Sequence, residues 1–206
     1  MSSPTELNLD LLTLSEAAEA AKSCTGCELY KDATQVVFGE GPPSASLMLV
    51  GEQPGDREDE AGEPFVGPAG RELDRALEIA GIDRSEVYVT NVVKHFRFEE
   101  RGKKRLHKKP TRGQIAACRP WFEAELAKVD PGVIVCLGGS AAQALLGSGI
   151  RVMKDHGVPR EWEGFLVVPT IHPSFVLRSS DDARRSELFA LLVDDLRMAV
   201  ELASAD

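Results

Sequence analysis

The segment KHFRFEERGKKRLHKKPTR, residues 94–112, crowds Lys94, Arg97, Arg101, Lys103, Lys104, Arg105, Lys108, Lys109 and Arg112 around His107. The chain as a whole is acidic, with 24 Lys and Arg against 33 Asp and Glu and a formal net charge of -9, so this is a local island of positive charge. Neighbouring cations disfavour one more positive charge, which predicts a neutral imidazole at His107 near pH 7. Neutral imidazole is a nucleophile or a base; imidazolium is neither. The plainer alternative is a solvated basic loop with an incidental histidine.

Other residues could join such chemistry. In GEQPG, residues 51–55, Gly51 and Gly55 let the backbone approach a ligand and present its amides, and Glu52 can act as a base or orient another group. A polar strand exit without function would look the same. Phe65, within GEPFVGPAG, could stack on a ring or plug its loop onto the core, and the acid-rich residues 56–60 before it read as a solvated face. Asn91 could donate and accept at once to a polar ring edge, or cap a turn. His172, in HPS, is a lone turn histidine. Cys24 and Cys27 form a CxxC, and Cys118 and Cys136 follow far along the chain. Four thiolates suit zinc or an iron–sulfur cluster, whereas Cys118 and Cys136 could equally be buried small apolar residues.

The elements that must position these groups follow from hydrophobic patterning. Apolar runs at 47–50, 87–93, 132–139 and 165–174 read as buried strands, and helical spacing appears at 14–22, 69–80, 111–129, 140–147 and 184–203. Thr111 is placed to cap the third of these helices. Strands alternating with helices predict an α/β fold, three layers α/β/α around a mainly parallel four-stranded sheet. Ligands of such sheets bind beyond the carboxyl ends of the strands, where GEQPG, Thr90–Asn91, LGGS and HPS converge.

Length and composition bound the rest. With 206 residues and 43% hydrophobic content the expectation is one domain over residues 1–206, its first eight residues frayed. No apolar run approaches the roughly 18 residues of a membrane span, and the opening lacks the basic and apolar regions of a signal peptide, so a cytoplasmic protein is expected. No oligomerisation signal is visible, which predicts a monomer. An acidic chain with one basic loop predicts a local contact with phosphates.

Taken in order, the CxxC, GEQPGDREDEAGEPFVGPAG, VYVTNVVKHF, ACRPW, VIVCLG and IHPS resemble the uracil-DNA glycosylase superfamily, in its iron–sulfur branch around family 4. The resemblance runs from Cys24 to the last helix. Two features depart from family 4. Gln53 stands where the GEAPG motif of those enzymes carries alanine, and the basic loop, residues 93–111, is inserted after the strand that contains Thr90 and Asn91. Both are features of the UdgX group, whose loop is written KRRIH; Lys104 and Leu106 replace an arginine and an isoleucine of that form and keep the histidine in register at His107.

The resemblance implies a structural 4Fe-4S cluster on Cys24, Cys27, Cys118 and Cys136, and uracil-containing DNA as substrate. It implies that Phe65 stacks on an extruded uracil, that Asn91 bonds its O4 and N3, that His172 donates to O2, and that Gly51 and Gln53 complete the uracil site. Lys94, Lys104, Arg105 and Ser174 would contact the DNA. In the UdgX-like reading His107 attacks C1′ of the sugar and Glu52 bonds the other ring nitrogen, leaving the protein attached to an abasic site after one turnover. Single-stranded DNA is the expected substrate, because extruding a base costs least there and no duplex-reading module is visible. Two alternatives stay open: a family 4 type glycosylase that turns over with water, and a non-catalytic iron–sulfur DNA-binding protein.

Overall fold

The fold is described from a computed structural model over residues 7–204. Of the segment expected to fray, residues 1–6 lie outside the described residues, and Leu7 packs against the core.

The chain runs α1 (Leu14–Ala21), β1 (Leu47–Gly51), α2 (Asp56–Ala61), α3 (Pro68–Ala80), β2 (Tyr88–Asn91), β3 (Phe98–Arg101), β4 (Lys104–His107), α4 (Arg112–Val129), β5 (Val133–Leu137), α5 (Gly139–Leu146), α6 (Val152–Asp155), β6 (Arg160–Trp162), β7 (Phe165–Thr170), α7 (Pro173–Leu177) and α8 (Asp182–Ala203), with short 3-10 turns between. The main sheet has the order β2-β1-β5-β7-β6. Its first four strands are parallel, as predicted, and β6 adds an antiparallel fifth at the edge. The expected four-stranded sheet is therefore a five-stranded mixed one. The extra strand has only three residues, and its two-residue turn, Glu163 at φ 49 and Gly164 at φ 91, has the paired positive φ values of a type I′ hairpin.

The buried strands are apolar without alternation because both faces are covered. Leu47 and Leu49 of β1 pack with Leu73 and Leu77 of α3 and Leu192 and Leu196 of α8. Met48 and Val50, on the opposite face, pack with Ala17 of α1, Trp121 of α4 and Ala141 of α5. Helix α4 begins where its sequence predicts: Thr111 Oγ1 accepts from Gln114 N at 3.2 Å and Gln114 Oε1 accepts from Thr111 N at 2.8 Å. No helix of the described residues is long and apolar enough to cross a membrane.

Three segments differ from expectation near the site. Residues 56–61 form α2, and Glu58 and Asp59 within it are buried, not solvated. The basic loop is a β-hairpin, β3 against β4, turning at Gly102 with φ 63. The last strand stops at Thr170, so HPS belongs to the start of α7, with His172 as its N-cap.

Candidate active site

A cavity of about 720 Å³ opens at the carboxyl ends of β1, β2, β5 and β7, lined by Glu52, Phe65, Asn91, His107, His172 and Arg178 among others. Parallel pairing sets Gly51 beside Asn91 at the ends of β1 and β2, so two of the predicted groups meet through main-chain register. Gly51 is there for space. A Cβ on it would lie 2.2 Å from Asn91 Oδ1 and 2.7 Å from Phe65 Cζ, so the amide and the aromatic ring both occupy the space a side chain here would need. Asn91 is 2% exposed.

Phe65 adopts φ 57, a left-handed conformation unusual outside glycine, asparagine and aspartate. Its backbone is locked by α3: a Cβ at Gly70 would fall 1.6 Å from Phe65 O. Glu58 ties the loop to the GEQPG turn, accepting from Gly67 N at 2.8 Å and Gly55 N at 3.1 Å. The Phe65 ring stacks on His172, with centroids 6.0 Å apart and planes at 30°.

The tautomer of His172 follows from its neighbours. Its Nδ1 accepts from Ser174 N at 3.1 Å and lies 2.8 Å from Ser174 Oγ, which accepts from Arg178 Nη1 at 2.7 Å. With Nδ1 used as an acceptor, the neutral ring carries its proton on Nε2. Burial most of all, and then Arg178 and the neighbouring His107 imidazole, lower the pKa of His172 to about 4. A neutral imidazole N–H therefore serves the cavity that the ring lines, a donor suited to charge that develops on an oxygen.

The opposite wall is the hairpin. Gln53, 7% exposed, donates from Nε2 to Arg97 O and Lys108 O, each at 3.1 Å, and accepts at Oε1 from Arg97 N at 3.1 Å. One amide thus clamps the two chain segments that enter and leave the hairpin. Its side-chain amide serves the main chain of the hairpin, while the residue itself lines the cavity. Arg105 donates from Nε to Asp56 at 2.6 Å and from Nη1 to Asp59 at 2.6 Å, and Asp59 also accepts from Thr34 N at 3.0 Å. It is a strut between the hairpin and α2, which corrects its assignment to DNA. Phe96 is buried beneath the hairpin.

Lys94 is corrected likewise. It is 1% exposed and ion-paired with the fully buried Glu125, and its Nζ donates to Thr90 Oγ1 at 2.6 Å and Asn91 O at 2.7 Å. A side chain so enclosed cannot meet a phosphate; it braces the strand end that carries Asn91. Lys104 is exposed at the hairpin turn, and Ser174 belongs to the His172 network.

His107, the last residue of β4, projects into the cavity with its Nε2 3.5 Å from Glu52 Oε1. That carboxylate oxygen is buried and has no hydrogen-bond partner. The pKa of His107 lies below its usual value, as predicted, but for another reason. Desolvation lowers it most and Arg178 lowers it further, while Glu52 opposes both; the lysines of the loop are not among the causes. Arg178 was missed by sequence reasoning, although its place four residues beyond Ser174 on a helical turn was a usable signal.

The cysteines divide into two groups. Cys24 Sγ accepts from Trp121 Nε1 at 3.2 Å and from Gly26 N at 3.5 Å, and Cys118 Sγ accepts from Lys94 N at 3.2 Å. Burial pushes the Cys118 thiol up to about 12; the charge and amide of Lys94 oppose this, and Cys24 and Cys27 add to it. These three thiols sense one another and receive the N–H donors that a ligating thiolate needs. Cys136 lies in the central strand, fully buried, and burial alone raises its thiol. The arrangement favours the core reading of Cys136 over its assignment as a cluster ligand. Among the described residues no group of three or more His, Cys, Asp or Glu is arranged to hold a metal ion.

Comparison with known proteins agrees with this architecture. The family model described as the uracil DNA glycosylase superfamily matches residues 38–197. A type-4 uracil-DNA glycosylase of Thermotoga maritima is 38% identical over 184 residues, covering 88% of this chain and 90% of the relative. One from Sulfurisphaera tokodaii is 32% identical over 200 residues, covering 93% and 85%. A DNA polymerase of Bacillus phage SP01 is 32% identical over 141 residues, 68% of this chain but 14% of that protein. With a family match over most of its length and relatives more than 30% identical over most of both chains, the chain belongs to the uracil-DNA glycosylase superfamily.

Proposed function

We propose that the protein excises uracil from DNA, preferentially single-stranded, and that His107 captures the resulting abasic sugar. The observation that carries this reading is the placement of His107, beside the unpartnered oxygen of Glu52, over the same cavity that Asn91, Phe65 and His172 line. An extruded uracil would stack on Phe65 and meet the Asn91 amide, with Gly51 leaving room for both contacts. The bond from C1′ to N1 breaks with its electron pair going to the base, and the neutral Nε2–H of His172 donates to O2 as that anion forms.

The electron-deficient C1′ is then open to attack. A lone pair of the His107 ring forms the new C–N bond, and Glu52 takes the proton from the other ring nitrogen, Nε2 in this arrangement. The product is a neutral N-alkyl imidazole, a poor leaving group, so the protein stays bonded to the sugar. Arg178, exposed and lining the cavity, and Lys104, exposed at the hairpin turn, are the side chains we assign to the flanking phosphates. A 4Fe-4S cluster would draw on Cys24, Cys27 and Cys118, and would staple the N-terminal segment to α4.

A second reading has its own support. The relatives are type-4 glycosylases by name, and the free oxygen of Glu52 could orient water in place of histidine. The variant His107→Ala separates the two. On a uracil-containing single strand it should release uracil yet give no denaturation-resistant complex. Persistence of that complex would remove His107 as the nucleophile.

A further inference from the structure

A second cavity, of about 490 Å³, lies between α4 and α5. It meets the first at Ser140, which lines both. Ser140 stands in the first turn of α5 and the lining continues to Ser148 beyond its last, so the groove runs the length of that helix, about 12 Å. On α4 its residues are Arg112, Ile115, Ala116, Arg119 and Phe122, one face at helical spacing.

The groove is graded along its length. At the end near the hairpin stand Lys109 and Arg112, and neither has an ion-pair partner among the described residues. Beyond them the floor is apolar, formed by Ile115, Phe122 and Leu145, and the far end carries Trp162. Arg119 is neutralised by Glu123 and Glu163 and lies with its guanidinium 5.7 Å from the centre of the Trp162 ring, so it braces the ring and offers no free charge. Two free cations followed by an apolar and aromatic trough match the order of phosphate and base along a single strand. Lys109 is two residues from His107, which sets this positive end beside the sugar that His107 faces.

We propose that this groove binds the nucleotide adjacent to the extruded uridine, its phosphate between Lys109 and Arg112 and its base on the apolar floor toward Trp162. The proposal rests on reading the first cavity as the uracil site. It gives the protein an extended single-strand track, and it answers why free cations persist at the foot of the hairpin when Lys94 and Arg105 are taken up in buried or bridging ion pairs.

The test uses two series of single-stranded oligonucleotides with one uridine. One series lengthens the flank on the 5′ side from zero nucleotides, the other on the 3′ side. The readout is the protein concentration giving half-maximal single-turnover uracil release. In the wild type the first nucleotides on one side should tighten binding on the order of ten-fold. Arg112→Glu, in an exposed first-turn position where a carboxylate suits the helix, and Trp162→Ala should bring that gain close to one on the same side alone. Arg112→Ala should also lower the salt dependence by about one counterion on the long substrate only. Equal flank gains in wild type and Arg112→Glu would overturn the proposal, as would a loss of the same size at every length. If the wild type released uracil from no oligonucleotide, the reading of the first cavity would fail instead, which is a distinguishable result.

Discussion

The two walls of the cavity are held in place by different means. The wall with Asn91, Phe65 and His172 is fixed by sheet register, by glycines that leave no space for a side chain, and by a helix cap. The wall with His107 is a two-stranded hairpin, and isolated hairpins are marginally stable at best. What secures it is one glutamine amide, one arginine between two aspartates, and Phe96 beneath. The difference teaches that base recognition is built into the core of the fold, whereas the covalent step rests on a few side-chain contacts that can be removed without dismantling it.

The sheet wall should fail first and hardest when its brace is cut. Lys94→Met leaves the Glu125 carboxylate buried without its cation and should cost about 3–5 kcal/mol in chemical denaturation. Replacing both partners with Lys94→Met and Glu125→Gln should recover much of that loss. A single variant as stable as the wild type would show that the pair does not hold the end of β2.

Gly51→Ala puts a Cβ into the contact between Asn91 and Phe65, and uracil release should fall on the order of 100-fold. Covalent capture should fall with it, since it depends on prior release. Full activity in this variant would separate Asn91 and Phe65 from the uracil site.

Gln53→Ala acts on the other wall. It removes three hydrogen bonds from the ends of the hairpin and should slow covalent capture about ten-fold while uracil release changes little. Faster hydrogen exchange confined to residues 97–108 should accompany it. Equal loss of release and capture would contradict the independence of the two walls.

The smallest effect is on pH dependence. Folded His172 takes up its proton near pH 4, against an ordinary value of 6.5. The unfolded chain therefore binds more protons between these limits, and the contribution of this group to stability is complete above pH 6.5 and lost as pH falls toward 4. His172→Gln should flatten that part of the stability profile. Covalent capture should persist below pH 6.5, because His107 is also held neutral below its usual range, and a capture rate that halves at 6.5 or above would contradict this.

What could be read from the sequence follows from how local each feature is. The four parallel strands, the Thr111 cap and the convergence of Gly51, Asn91 and His172 were legible, because apolar runs and cap residues act within a few positions. The hairpin inside the basic loop and the three-residue β6 were not: short strands carry little periodicity, and their turn signals are one glycine, Gly102, and one dipeptide, Glu163–Gly164. Charged residues misled most. Lys94, Arg105, Glu58 and Asp59 look solvent-facing in a window, and only contacts with partners such as Glu125 and Thr34, or between Arg105 and Asp59, make them buried or bridging. Gln53 was noticed through the resemblance, but its partners lie 44 and 55 residues away, beyond any local pattern.

The central claim is that one cavity both releases uracil and presents His107 to the sugar left behind. The most direct measurement is intact mass spectrometry under denaturing conditions after mixing the protein with a uracil-containing single strand, beside a thymine control. The account predicts a species at the mass of protein plus oligonucleotide less uracil, absent from the control, whose modified peptide maps to His107. Free uracil with only unmodified protein would contradict covalent capture and leave a glycosylase that uses water, and no free uracil at all would contradict the assignment of the cavity.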